Sequence, residues 1–284
     1  DPMRTYIEEK ATSGCGETFA TTANRPVVST EASTCVVPKG NFVQLSGQVD
    51  NISASSLSYA WDRIDTGPEN FTDVNVPRFR PQVPGPSQSR FLPNMYYLTY
   101  GLDSQLEELP PKASVPGDNE MTFRFIARTT FELDTQQLAD VSNGVGAFDF
   151  QDVTLRYVSN EEPLMITNHF NELVVGSTVD ITWTGGSLAG NLRIMLAINT
   201  MAEVSDFEYK SDVKDLEWVS IATVSNNGSA TVTIPQLTSS LGQEANLMLR
   251  SEGNEDCFFF DLVPRLKFVG GTSGTASPTV PTLP

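Results

Sequence analysis

A single histidine, His169, limits the chemistry open to this chain of 284 residues. An imidazole held by a carboxylate beside a serine or cysteine makes a nucleophile, and three imidazoles around a glutamate hold a catalytic zinc. His169 lies in the run Thr167-Asn168-His169-Phe170-Asn171 with no activated serine motif nearby. It reads as a loop or strand-end residue, and no catalytic residue and no metal ligand is assigned. The pairs Glu107-Glu108, Glu161-Glu162 and Glu255-Asp256 have the residue types of a glycosidase, which sets two acids about 5 to 10 Å apart across a sugar. Among 35 acidic residues such neighbours arise by chance, so solvated faces account for them. Calcium is the one ion with suitable hard oxygens, at Asp50, Asn51, Asp62, Asp65 and the turn Gly253 to Asp256, but no EF-hand loop is present. Gly185-Gly186 and Gly270-Gly271 lack the spacing and the lysine of a phosphate cradle, so no cofactor is expected.

The three cysteines, Cys15, Cys35 and Cys257, match no zinc or redox spacing. In an oxidising compartment Cys15 and Cys35 are candidates for a bridge closing a loop of about 20 residues, worth on the order of 3 kcal/mol by chain entropy. Cys257, just before Phe258, Phe259 and Phe260, then reads as a buried thiol, and a Cys35 to Cys257 bridge is the alternative. The sequons at Asn51, Asn70 and Asn227 are candidate N-glycosylation sites for a secreted eukaryotic chain.

Positioning any of these groups falls to strands. The composition is globular and rich in turn formers, with 18 Pro and 20 Gly, and its length suits about two domains. Lys and Arg number 18 against 35 Asp and Glu, a formal charge of -17, which repels nucleic acid and anionic lipid headgroups. No window has the roughly 20 apolar residues of a membrane span, so no membrane insertion is expected. A start at Asp1 without a signal-peptide core suggests a processed or excised piece.

Residues 3–12 have helical character, stopped at Ser13-Gly14, and residues 18–34 read as an extended linker. Period-two alternation predicts strands over 43–49, 57–61, 121–127 and 152–157. Between them the stretch 66–93 is too crowded with Pro and Gly for a regular element, and its aromatics Phe71, Phe79 and Phe91, with Tyr96 and Tyr97 beyond it, pack it onto the surface. Between the strands over 121–127 and 152–157 a short helix over 133–141 competes with a loop, which Gly144 and Gly146 favour. The pattern restarts after Glu161-Glu162-Pro163, with strands expected over 164–166, 179–183, 192–198, 218–221, 230–234, 246–249, 258–262 and 266–268. This density predicts an all-β chain of two tandem immunoglobulin/fibronectin-like β-sandwiches behind an extended N-terminal arm. The arm occupies 1–34, the sandwiches 35–160 and 161–270, and a Ser/Thr/Pro-rich tether 271–284.

The turn Pro38-Lys39-Gly40 with Val43, Leu45, Gly47, Leu57, Tyr59 and Trp61 resembles PKD and fibronectin-like sandwiches of secreted bacterial proteins. Over about 12–160, Cys15-Gly16, Leu57 to Asp62, Arg90 to Pro93, Glu108 to Pro110 and Met121 to Arg128 resemble the region after the catalytic domain of reprolysin-like zinc metallopeptidases of marine microbes. Val179 to Trp183 with Phe259-Phe260-Asp261 is similar to the next module of the same proteins, and the Ile181-Thr182-Trp183 strand to sandwiches of fungal cell-wall assembly proteins. That resemblance implies a non-catalytic part of a parent peptidase, because the zinc-binding histidines of such enzymes have no counterpart here. The expected role is therefore a structural or adhesive one, extracellular or at a cell surface or filament, with self-association or other extracellular proteins as partners. Ancillary targeting domains of a secreted zinc metallopeptidase are the alternative, and carbohydrate binding by the aromatic stretch 66–100, with glycans as partners, is another.

Overall fold

The computed structural model describes residues 25–65, 77–79, 81, 83–100, 108–129, 147–198, 216–236 and 244–270. The expected helices over 3–12 and 133–141, and the tether, lie outside them. In the first half the strands are β1 (Val28–Ser29), β2 (Thr34–Pro38), β3 (Phe42–Ser46), β4 (Gln48–Val49), β5 (Leu57–Arg63), β6 (Arg78–Phe79), β7 (Ser89–Leu92), β8 (Glu108–Leu109), β9 (Asn119–Thr129) and β10 (Phe148–Val158). One short helix, α1 (Met95–Tyr100), follows β7. The second half adds β11 (Met165–Ile166), β12 (Glu172–Val174), β13 (Thr178–Thr184), β14 (Asn191–Ile198), β15 (Val219–Ser225), β16 (Ser229–Thr233), β17 (Glu244–Ser251) and β18 (Cys257–Val269).

The described residues form an all-β fold whose two halves repeat one pairing logic. In the first, β2 runs parallel to β10, and β9 and β5 follow antiparallel, giving the order β2-β10-β9-β5. In the second, β12 runs parallel to β18, followed by β17, β14 and β15. A short parallel strand beside the last strand of each half, with a second sheet packed across it, is the arrangement of immunoglobulin-like sandwiches.

The sheets interlock because alternate side chains point inward. Tyr59 and Trp61 on β5 stack on Phe125 of β9, with ring centroids 5.8 and 5.0 Å apart. The expected strand 43–49 is interrupted at Gly47 by the same ring: a Cβ there would lie 2.2 Å from Phe125 Cδ1. Only glycine admits such an approach, so the strand splits into β3 and β4. In the second half Ile181 and Trp183 of β13 share one hydrophobic core with Leu192, Ile194 and Leu196 of β14, all buried. The Trp183 indole donates to Asn226 Oδ1 at 2.7 Å.

Several elements depart from the alternation pattern. Residues 28–29, placed by their composition in a surface linker, form β1, which pairs with β4 and buries Val28. The stretch 66–93, expected to hold no regular element, contains β6 and β7. The strands expected over 258–262 and 266–268 are one strand, β18, which passes through Pro264 with Arg265 at φ 58°. A register shift between Ala245 and Leu247 on β17 absorbs the irregularity, and Asn246 Oδ1 accepts from the Arg265 amide at 3.2 Å.

The length of β18 has a consequence for the boundary between the halves. Residues Cys257 to Phe260 pair with β3 of the first half, in the register Cys257 to Leu45 and Phe260 to Phe42. Farther along, Lys267 to Val269 pair with β12. The result is a seven-stranded sheet in the order β15-β14-β17-β18-β3-β7, with β12 on its flank, that belongs to both sandwiches. One continuous hydrophobic core follows its inner face from Val43 and Leu45 through Phe259 to Leu247 and Phe268.

Candidate functional site

Chemistry-bearing residues converge where β18 crosses between the halves. Cys35 of β2 is joined to Cys257 at the start of β18, with Cα atoms 6.0 Å apart. The candidate Cys15–Cys35 bridge is therefore corrected: Cys35 takes Cys257 instead, and Cys15 lies outside the described residues. The two cysteines are 222 positions apart, and inner-face pairing of β18 with β3 brings them within reach.

Polar groups complete the junction. Asn41 is 2% exposed; its amide nitrogen donates to the carbonyls of Leu164 at 2.8 Å and Phe260 at 3.3 Å. Its amide oxygen accepts from the Leu164 N–H at 2.9 Å, so one side chain of the first half satisfies backbone groups on two segments of the second. Asp256 accepts from the Glu31 amide at 2.6 Å, and its own carbonyl accepts from the Ser46 amide at 2.7 Å. Asp261 points inward opposite Leu249 and accepts from the Ile166 amide at 2.7 Å. Burial raises its carboxyl pKa, against the lowering pull of the Ile166 and Leu262 amides.

Of the remaining carboxylates named as candidates, Glu108, Glu161, Glu255 and Asp65 are engaged structurally, and Glu107 lies outside the described residues. Glu108, 3% exposed, accepts from Arg90 Nη2 at 2.6 Å and also from the Asn94 amide. That pair fastens the chain on either side of α1, since Arg90 also bonds the Trp61 carbonyl. Glu255 pairs with Arg250 at 2.7 Å and with Arg193 at 3.2 Å. Glu161 accepts from the Ser187 hydroxyl. His169 is exposed between β11 and β12. The oxygens considered for calcium are not gathered: Asp65 is held by Arg63 at 2.6 Å and by the Thr122 amide at 3.0 Å. Burial raises the Asp65 carboxyl, but those bonds outweigh it and leave it below the usual range. Among the described residues no three His, Cys, Asp or Glu side chains come together as a metal would need.

Of the sequons, Asn51 is exposed, but its amide nitrogen donates to the Arg25 carbonyl at 2.7 Å and its oxygen accepts from Val27 at 2.8 Å. Asn227 is exposed in the turn between β15 and β16. Asn70 lies outside the described residues.

The outer face of the seven-stranded sheet carries a second apolar cluster, Met248, Phe258, Phe260 and Leu262, covered by Met95 and Leu98 of α1. Beside it opens a cleft of about 200 Å³, walled by Gln44 of β3, Ser89 and Phe91 of β7, Asn94 and Met95 at α1, and Trp218 just before β15. Both halves contribute to it. Alternation marked Gln44 as an outward residue and Trp218 as a strand residue, but nothing local brings two positions this far apart in sequence to one wall.

No protein-family model matches the chain, and no curated protein matches it. Solved structures similar to it include the three N-terminal domains of the bacteriophage RB49 highly immunogenic outer capsid protein, at 9% identity and a TM-score of 0.24. That alignment covers 87% of this chain and 71% of the phage chain. Sidekick-1 immunoglobulin domains 1–5 align at 8% identity and a TM-score of 0.23, over 87% of this chain and 40% of theirs. The FN1–FN3 domains of chicken CNTN1 align at 10% identity and a TM-score of 0.23, over 89% and 71%. Scores this low leave the sandwich reading resting on the strand pairing itself: the chain is an all-β protein of tandem immunoglobulin-like sandwiches.

Proposed function

We propose that this chain is a non-catalytic structural or adhesive element of an extracellular, cell-surface or filament assembly. The observation that carries the reading is the shared sheet: one strand belongs to both sandwiches, and a disulfide and Asn41 tie them at the crossing. A joint locked by backbone pairing and a covalent bridge transmits force and fixes geometry, which suits a scaffold. The disulfide also suits an oxidising, extracellular compartment. The carboxylates described above hold strands and loops in place, leaving each engaged in architecture.

Assembly has a physical route through the sheet margins. Strand β15 is the outermost strand at one end of the seven-stranded sheet, hydrogen-bonded to β14 alone among the described residues. Such an edge accepts a strand from another copy or another extracellular protein. The N-terminal arm, residues 1–34, is the proposed donor, although its last residues include β1 and the start of β2; the deletion is therefore confined to residues 1–24. Light scattering and electron microscopy of the full chain and of the deletion test this. Oligomers or filaments that vanish on deletion support the reading, and a full chain that stays monomeric at high concentration overturns it.

A further inference from the structure

We infer that the cleft between β7, α1 and Trp218 is a binding site for a neutral sugar residue of a glycan. The inference goes beyond the assembly role and does not depend on it.

The walls argue for the ligand class. Trp218 and Phe91 both line the cleft and are both half-buried, so each packs partly on the apolar cluster behind it and leaves the rest of its ring exposed. An aromatic face is electron-rich and apolar, and it matches the C–H face of a pyranose ring. Polar atoms stand around these rings. Gln44 donates through Nε2 to the Ser46 hydroxyl at 2.9 Å, which leaves its Oε1 without a partner among the described residues. Asn94 uses its Oδ1 for the Tyr96 amide at 2.9 Å, which leaves its Nδ2 in the same state. The Trp218 indole N–H likewise has no partner among the described residues. The wall thus offers an acceptor and two donors, the mixture a polyol needs.

Charge narrows the class further. The one cation in the lining, Arg90, is itself 3% exposed and turned to Glu108 and the Trp61 carbonyl. It is neutralised by its buried carboxylate partner, so nothing in the lining recommends a phosphate or a carboxylate. The chain's formal charge of -17 further disfavours acidic polysaccharides. A volume of about 200 Å³ admits one sugar ring rather than a drug-sized ligand, whose pockets run to roughly 300–1,000 Å³. Specificity then extends along the glycan only as far as the neighbouring surface allows.

The cleft also has rigid support. Phe91 packs edge-on against Phe260 of β18 with centroids 5.8 Å apart, and Ser89 shares a 2.6 Å hydroxyl contact with Ser46. Its Phe91 wall is thus buttressed by the strand that crosses between the halves, and its Trp218 wall comes from the second half.

Titration of the full chain with neutral hexasaccharides of glucose, mannose, galactose and N-acetylglucosamine, read by tryptophan fluorescence and calorimetry, tests the inference. Trp61 and Trp183 are each 3% exposed, so a fluorescence change on binding reports Trp218. The expected result is saturable binding of at least one hexasaccharide, weakened at least tenfold by Trp218→Ala, weakened severalfold by Gln44→Ala and largely kept by Trp218→Phe. Thermal melts confirm that each variant is folded. Absence of saturable binding across the panel, or folded Trp218→Ala and Gln44→Ala variants that bind as the parent does, would overturn it. Binding by a chain that remains monomeric would sink the assembly reading and leave this one standing.

Discussion

Individual ionisable groups pull the stability of this protein in opposite directions as pH changes. The carboxyls of Asp118 and Asp152 are held below the ordinary range, Asp118 by the Ser159 amide and Arg156, and Asp152 by Arg124 at 2.7 Å. Asp149 is also lowered: burial raises it, but the Val28 amide and Arg25 outweigh that. A depressed folded pKa contributes stability above the unfolded value, near 4, that is lost as pH falls through the folded value. Asp261 has the reverse sign. Its folded pKa is raised by burial, so its contribution is present below about 4 and is lost as pH rises through the raised value. Replacement by asparagine keeps an acceptor for the Ile166 amide and removes the buried charge. Asp261→Asn is therefore expected to melt higher than the parent at pH 7, with the gap closing towards pH 4 in a series of thermal melts. A gap that widens on acidification would contradict this assignment.

Strand β18 carries more of the architecture than any other element. It pairs with β17 from Phe260 to Lys267, with β3 at its start and with β12 at its end, and it bears Cys257. A bridge closing so long a loop restricts the unfolded chain strongly, and its removal is expected to cost about 2–5 kcal/mol. The double replacement Cys35→Ala with Cys257→Ala should therefore lower the denaturant midpoint without changing the strand content seen by circular dichroism. Mass spectrometry of a non-reduced digest should recover the Cys35 peptide joined to the Cys257 peptide. Recovery of Cys35 joined to Cys15 would refute the pairing.

Taken whole, the molecule should behave as one cooperative unit rather than as two beads. Separate tandem domains meet through modest interfaces and move relative to each other. Here a continuous core and a common sheet run through the junction, so exposing one half strips pairing from the other. Trp61 reports the first sandwich and Trp183 the second. Their fluorescence, isolated by tryptophan-to-phenylalanine replacement of the others, should give coincident urea transitions. Two midpoints separated by more than the fitting error would show that the halves unfold independently. A piece ending near residue 160 should be insoluble for the same reason, because β3 keeps β7 on one side but loses β18 on the other.

Alternation of apolar and polar residues was enough to identify the all-β class and the long strands, since burial on one face of a pleated strand imposes a period of two. It located β5, β9, β13, β14 and β16 closely, because each is long enough to repeat its pattern. The single histidine and the scattered carboxylates already argued against metal or triad chemistry. Short strands such as β1, β6, β7 and β12 carry too few residues to show a period, and their places depend on partners far along the chain. The same holds for the partner of Cys35, the break at Gly47 and the cleft shared by Gln44 and Trp218. Each follows from strand register, which is settled by how two faces pack together. Local sequence records which side of a strand is buried; only the folded sheet decides which strand lies beside it.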